Sequence, residues 1–322
     1  MSTQAITPWS TLAQVKRQPC FAPFREHLAP PGGIAEIVTD HLPFALVPGW
    51  NGKDIADGFE RLRVLCGEGR KVFYPLYSPE ECHQNPALSK AAMFHFPGKP
   101  GAPFVMVVPG GGYAVVCSMF EGFPVANALN KMGYHAFVVD YRSGRDALAP
   151  NPQDDLAEAV RYVLDHATEL GVSPEGYAVA GFSAGGHLAG SFGTKALGWH
   201  HYGLPCPAAL FLSYPVVTTR EHTHSDSCKN LLGQNWTQED VRKWSLEAQM
   251  DRDTPPVYLW QCEADNVVSI QNSKLLYDHL KEFDVPCEYE VFPGRAHGWG
   301  LANGKAAEGW LGRAVAFWQR QI

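Results

Sequence analysis

The stretch VAGFSAGGHLAG, residues 179–190, sets Ser183 between Gly181 and Gly185 and follows it at once with small residues. The strand-like YAVAG leads into the serine, and AGGHLAGSFGTKAL leads away from it with helical character. A serine on a sharp strand-to-helix turn projects its hydroxyl beyond the sheet, and flanking glycines permit the crowded backbone that such a turn needs. The plain alternative is a glycine-rich turn whose serine only caps the helix. Partners decide between the two, because a serine hydroxyl is a poor nucleophile at neutral pH until a histidine, itself held by a carboxylate, takes its proton.

The chain offers those partners in loops that follow strand-like runs. FPGRAHGWG places His297 after CEYEVF and before the last helical segment, where a base belongs. His200, His201, His222 and His224 lie in polar loops without carboxylate-rich spacing, which reads as solvated histidine and not as a metal site. His187, four residues after Ser183, reads as a locally packed or hydrogen-bonded side chain. VYLWQCEADNVVS presents Glu263 and Asp265 together; strand alternation and loop onset favour Asp265 as the carboxylate, with Glu263 at the strand end. The attacked carbonyl also needs two preorganised N–H donors. Ala184, just after the serine, supplies one, and Gly111 or Gly112 in PGGGY, after FVMVVP, supplies the other.

Outward from these loops, short β-rich runs alternate with helical ones from about residue 103. FVMVVP and YHAFVVDY read as buried strands and YAVAG, AALFLSY, PVYLWQC and CEYEVF as further strands; residues 125–132, DDLAEAVRYVLDHATELG and AAEGWLGRAVAFWQRQ read as helices. That rhythm predicts an α/β fold with a mostly parallel central sheet and helices on both faces. Residues 1–70 are irregular and rich in Pro and Gly, which predicts an N-terminal extension, with a hairpin or short helix in it, laid over a domain spanning 71–322. The link over 218–253 is long for a connection between strands and predicts a cap or functional loop.

Composition excludes other classes. With 26 basic against 33 acidic residues the net charge is −7, so no basic field gathers nucleic acid or an anionic membrane surface. The N-terminus lacks a basic start followed by an apolar run, and no apolar stretch reaches the ~18 residues of a membrane span, which gives the expectation of a cytoplasmic protein. The eight dispersed cysteines show no CxxC pair and suit reduced thiols.

The order Ser183, Asp265, His297 is that of α/β-hydrolases. From MVVPGGGY through VVDYR, GFSAGGHLAG and TPPVYLWQCEADNVVS to VFPGRAHGWGLA, roughly residues 100–320, the chain resembles the α/β-hydrolase esterases of the acetyl xylan esterase and bifunctional feruloyl-esterase-like family. The resemblance implies a cofactor-free serine esterase, often acting on acylated carbohydrates. Its nucleophile, acid and base would be Ser183, Asp265 and His297, and its oxyanion hole the amides of Gly111, Gly112 and Ala184. Many relatives, including the hormone-sensitive-lipase-like group, carry histidine before the glycine run, where Pro109 stands here.

The expected partner is a small-molecule ester, with self-association left open. The polar character of 218–253 predicts short acyl groups on a sugar-like alcohol, with Tyr113, Trp236 and Trp299 as candidate substrate surface. A serine peptidase or amidase on the same machinery, and a non-catalytic binding module on the same fold, are the alternatives. The first would usually bring a site for a peptide terminus or a propeller of repeats, and the second usually loses a member of the triad; this chain shows no repeat and retains candidates for all three.

Overall fold

The computed structural model describes residues 4–29 and 40–322. Eight strands form one sheet: β1 (Phe73–Pro75), β2 (Ala92–Phe96), β3 (Phe104–Val108), β4 (His135–Asp140), β5 (Ala178–Phe182), β6 (Ala209–Ser213), β7 (Val257–Cys262) and β8 (Cys287–Phe292). Their spatial order is β1-β2-β4-β3-β5-β6-β7-β8. From β4 through β8 every pairing is parallel, and β2 joins antiparallel on both its sides. The parallel strands β3 to β7 are near-continuous apolar runs because helices cover both their faces, whereas β8, CEYEVF at the sheet edge, is half-exposed.

The flanking helices are α1 (Leu12–Lys16), α2 (Gly52–Gly67), α3 (Phe123–Met132), α4 (Asn151–Asp165), α5 (Ala184–Gly193), α6 (Ser225–Leu232), α7 (Gln238–Lys243), α8 (Gln271–Glu282) and α9 (Trp310–Gln319). Alternate strand residues feed two cores. On one face Val105, Val107, Ala180, Phe211 and Trp260 pack with α2, α3 and α9. On the other, Met106, Val108, Val179, Leu212 and Leu259 pack with α4, α5 and α8. The helix expected over 154–171 starts earlier and breaks at His166, where the backbone reaches φ −109° and ψ 20°.

The structure adds detail to two expectations. The segment before residue 70 is not merely irregular: Asn51 caps α2 by accepting from Lys53 N–H at 3.0 Å, and Ile55, Phe59, Leu62 and Leu65 bury one face of that helix. Leu12, Val15, Phe21, Phe44 and Phe59 join the same core as the sheet, each contributing about 2 kcal/mol of apolar burial. The second concerns 218–253, whose apolar residues Leu231, Trp244 and Leu246 are buried in the core beside α5. Leu246 fills the space over Gly190, where a Cβ would lie 2.5 Å from its Cδ1.

Candidate active site

β5 ends at Phe182 and α5 begins at Ala184, so Ser183 alone makes the turn, at φ 53° and ψ −120°. Close backbone approach explains the glycines around it. A Cβ on Gly181 would lie 2.4 Å from Gly185 O, and one on Gly185 would lie 2.2 Å from Val108 O. Any larger residue would push β5, α5 and the end of β3 apart.

His297 arrives on the loop after β8, with Nε2 2.8 Å from Ser183 Oγ and Nδ1 2.7 Å from Asp265 Oδ2. Asp265 follows β7, and its Oδ1 accepts from Val267 N–H at 2.9 Å and Val268 N–H at 3.0 Å. Gln261 Nε2 donates to Oδ2 at 3.2 Å. Because a carboxylate only accepts, His297 carries its proton on Nδ1, leaving Nε2 to accept from the Ser183 hydroxyl. The Asp265 side chain is fully buried and that of His297 is 12% exposed. Glu263 is exposed and stands apart from this chain of bonds.

The glycine loop closes over the serine from β3. Gly111, Gly112 and Tyr113 have φ of +125°, +65° and +59°, a left-handed run that glycine tolerates far better than other residues. Gly110 N–H donates to Glu121 Oε2 at 2.7 Å, Gly111 O accepts from Ala114 and Val115, and Gly112 O accepts from Asn230 Nδ2 at 2.8 Å. The amides of Gly111 and Gly112 take no part in these bonds. A Cβ on Gly110 would lie 2.8 Å from Ser183 Cβ, which sets the loop directly against the serine. Ala184 N–H heads α5, where the helix dipole adds to its attraction for an anion.

The three aromatic residues expected to face substrate are placed differently. Tyr113 is 1% exposed, and its hydroxyl donates to His187 Nδ1 at 2.9 Å. His187 Nε2 donates in turn to Trp244 O at 2.7 Å, and burial pushes its pKa down to about 4. Tyr113 therefore braces the glycine loop from inside, because its positive φ turns the side chain inward. Trp299 is half-buried against Gly294 of the base loop. Trp236 is half-buried between α6 and α7.

His224, expected as a solvated loop histidine, is half-buried at the site, and Asn230, Trp50, Glu121 and Tyr214 drew no notice in the sequence. His224 caps α6, its Nδ1 2.8 Å from Ser227 Oγ, and its Cε1 lies 3.9 Å from where a Gly112 Cβ would be. The 218–253 segment thus reaches the glycine loop through both His224 and Asn230. Trp50, from before α2, covers Gly298 and Gly300 beside His297. Glu121 and Tyr214 lie beneath the site; a single acid inside the apolar run AVVCSMFEGFPVANAL was the available signal for the first. Among the described residues, no group of three or more His, Cys, Asp or Glu is placed to hold a metal ion.

Residues 105–301 match the family model described as alpha/beta hydrolase fold. The chain belongs to that family. Two curated relatives are similar to it over about two thirds of its length. The endo-1,4-beta-xylanase B of Butyrivibrio fibrisolvens is 36% identical over 217 residues, covering 65% of this chain and 34% of that protein. The acetylxylan esterase of Xylanibacter ruminicola is 30% identical over 220 residues, covering 66% and 45%. The chain thus spans less than half the length of either. The crystal structure of an acetyl ester-xyloside bifunctional hydrolase from Caldicellulosiruptor lactoaceticus superposes with a TM-score of 0.69 at 31% identity, over 77% of this chain and 95% of that one. The α/β-hydrolase fold is therefore established here by sheet order, family match and structural neighbour together. Among the described residues, no helix is long and apolar enough to cross a membrane.

Proposed function

We propose that this α/β-hydrolase is a serine carboxylic-ester hydrolase that removes short acyl groups, acetyl foremost, from a carbohydrate or similar small polar alcohol. The observation that carries the proposal is the unbroken run from Asp265 through His297 to Ser183, at 2.7 and 2.8 Å, lying against a glycine loop with uncommitted amides. Ser183 Oγ attacks the ester carbonyl as its proton passes to His297 Nε2. The new C–O bond pushes the carbonyl electrons onto oxygen, where Ala184 N–H and Gly111 or Gly112 N–H receive the charge. Collapse of this intermediate breaks the bond to the alcohol, which leaves with the proton from His297. Water then repeats the sequence on the acyl-enzyme, with His297 again as base, and releases the acid.

The acyl and alcohol preferences draw support from the relatives, whose names include an acetylxylan esterase and an acetyl ester-xyloside hydrolase. On this reading residues 71–322 form the catalytic unit, residues 218–253 an insertion over the site, and residues 1–70 a cover, with the protein working in the cytoplasm. Trp299 and Trp236 remain the candidate aromatic surface for a sugar ring.

Purified wild type and Ser183→Ala, assayed on p-nitrophenyl acetate and on acetylated xylo-oligosaccharide, test the proposal. Loss of about 10³-fold or more in kcat with the fold retained is expected for Ser183→Ala. Near-wild-type turnover in that variant would sink the triad. A kcat/KM maximum at acyl chains of eight carbons, or no acetate released from any acetylated sugar, would sink the substrate class.

A further inference from the structure

Glu121 lies in the wide helical turn Ser118–Gly122 just before α3 and is 3% exposed. Both of its carboxylate oxygens accept hydrogen bonds. Oε2 takes Gly110 N–H at 2.7 Å, and Oε1 takes the Tyr214 hydroxyl at 2.8 Å. Tyr214 follows β6, and its hydroxyl accepts from Gly300 N–H at 3.0 Å. Its ring meets that of His297 at 67°, with centroids 4.8 Å apart. From the base loop, a Cβ on Gly298 would lie 3.9 Å from Glu121 Oε1. One carboxylate therefore holds the residue preceding Gly111 and Gly112 and, through a single tyrosine, the backbone three residues after His297.

The brace itself calls for two acceptor atoms. Burial of an ion costs several kcal/mol unless partners offset it, but both groups facing Glu121 are donors: a neutral amide of the same shape would set its NH2 against Gly110 N–H or the Tyr214 hydroxyl, whereas a carboxylate accepts from both. Burial raises the pKa of Glu121, while the Gly110 and Tyr214 bonds and the attraction of His297 oppose that rise. His297 gains a positive charge when it takes the Ser183 proton, and a fixed negative charge nearby favours that state. Asp265 meets the ring at Nδ1, whereas Glu121 lies on the side of Tyr214 and Gly298.

Resting on the triad reading above, we propose that Glu121 is a positioning residue for ester hydrolysis. It locks the oxyanion loop to the base loop and places a second buried negative charge beside the imidazolium that forms during acyl transfer. The titratable groups facing His297 are Asp265, Glu121, Tyr214 and, from the start of α6, His224. Those facing Glu121 are Tyr214, His297, Cys117 and Tyr141.

The test compares wild type, E121Q, Y214F and S183A as full chains on an aryl acetate from pH 5 to 9, with circular dichroism to verify folding. E121Q should lower kcat about tenfold or more while KM stays within about threefold, because the lost interaction belongs to the transition state. Removing a negative charge makes the imidazolium less favourable, so the acid limb of kcat/KM should move to lower pH by about half a unit or more. Y214F keeps the charge and the Gly110 bond, so it should lower kcat less and leave the acid limb in place. Wild-type kcat and an unmoved limb in E121Q, with S183A inactive, would overturn this inference alone. Turnover by S183A would instead overturn the triad on which it rests. Should E121Q not fold, Y214F and E121D decide in its place, and unchanged kcat in both would overturn the brace.

Discussion

The serine and the histidine of this site are held by opposite means. Ser183 is fixed by backbone pressed on backbone, with Gly181 and Gly185 allowing β5, α5 and the end of β3 to touch. His297 sits on a loop after an edge strand, among Gly294, Gly298 and Gly300, whose φ values of +145°, +75° and +53° leave the chain little side-chain packing of its own. Its position comes from side chains sent by distant segments: Asp265 at the ring, Tyr214 under it, and Trp50 over the adjoining glycines. The serine half therefore tolerates almost no change, whereas the histidine half is assembled from separable contacts and can be tuned.

The largest expected effect tests whether one contact on the histidine side outranks the rest. Asp265→Asn should lower kcat on an aryl acetate by about 10³-fold or more, since an amide in that place no longer fixes the proton on Nδ1. Glu263→Gln, on an exposed neighbour, should change kcat by less than about threefold. Kinetics on the two purified variants settle it, and the reverse ranking would hand the role to Glu263.

A second prediction sets acid against two buried histidines, one on the serine helix and one between β2 and β4. His187 links α5 to Trp244 O, and His95 bonds His135 between β2 and β4. Burial holds their pKa values down, to about 4 for His187 and about 3 for His95. In the unfolded chain each takes a proton near the ordinary value of about 6.5, so the unfolded state binds more protons throughout the interval below it. Stability is thus fully present above about pH 6.5 and falls as the pH drops toward those lower values, by about 2 kcal/mol for each histidine at pH 5. Thermal unfolding should show Tm lower at pH 5 than at pH 7 by about 5 °C or more. Equal Tm values at the two pH values would contradict the burial argument, and His187→Gln should weaken the dependence if the serine helix carries its share.

What could be read from the sequence follows the same division. The strands from β3 to β7 are largely apolar runs between turns, and Ser183, Asp265 and His297 follow the ends of β5, β7 and β8, so linear order was enough to bring these three forward as candidates. α2 was expected only as a hairpin or short helix without bounds, although Asn51 and the spacing of Ile55, Phe59 and Leu62 mark it, because the Pro- and Gly-rich stretch around it masked the period. β1 and β2 are short and run antiparallel, outside the βα rhythm that identifies the rest. Tyr113 shows the sharper limit: neighbours along a chain share a loop, but a positive φ decides which way a side chain faces. Glu121 and Tyr214 are 93 residues apart, and only the folded sheet brings them together.

The smallest effect probes the boundary between the N-terminal segment and the site. Trp50 stacks on Phe120 with centroids 4.6 Å apart at 25°, and its ring atoms lie 3.4 Å from where Cβ atoms on Gly298 and Gly300 would be. It touches the base loop on the face where that loop has no side chains of its own, and Phe120 immediately precedes Glu121 in the chain. Trp50→Ala removes this cover without touching Asp265, Tyr214 or the serine turn. The indole is half-buried, so the loss should cost about 1–3 kcal/mol of stability, the lower part of the range for large-to-small substitutions. The base loop should then sample more positions, lowering kcat about threefold to tenfold, since small misplacements of a catalytic group are felt in rate. Trp50→Phe, which keeps a ring over the glycines, should recover most of both. Thermal melts and kcat on an aryl acetate measure the two quantities separately. A destabilised Trp50→Ala with full kcat would mean that Asp265 and Tyr214 hold the base unaided, leaving the N-terminal segment a purely structural cover.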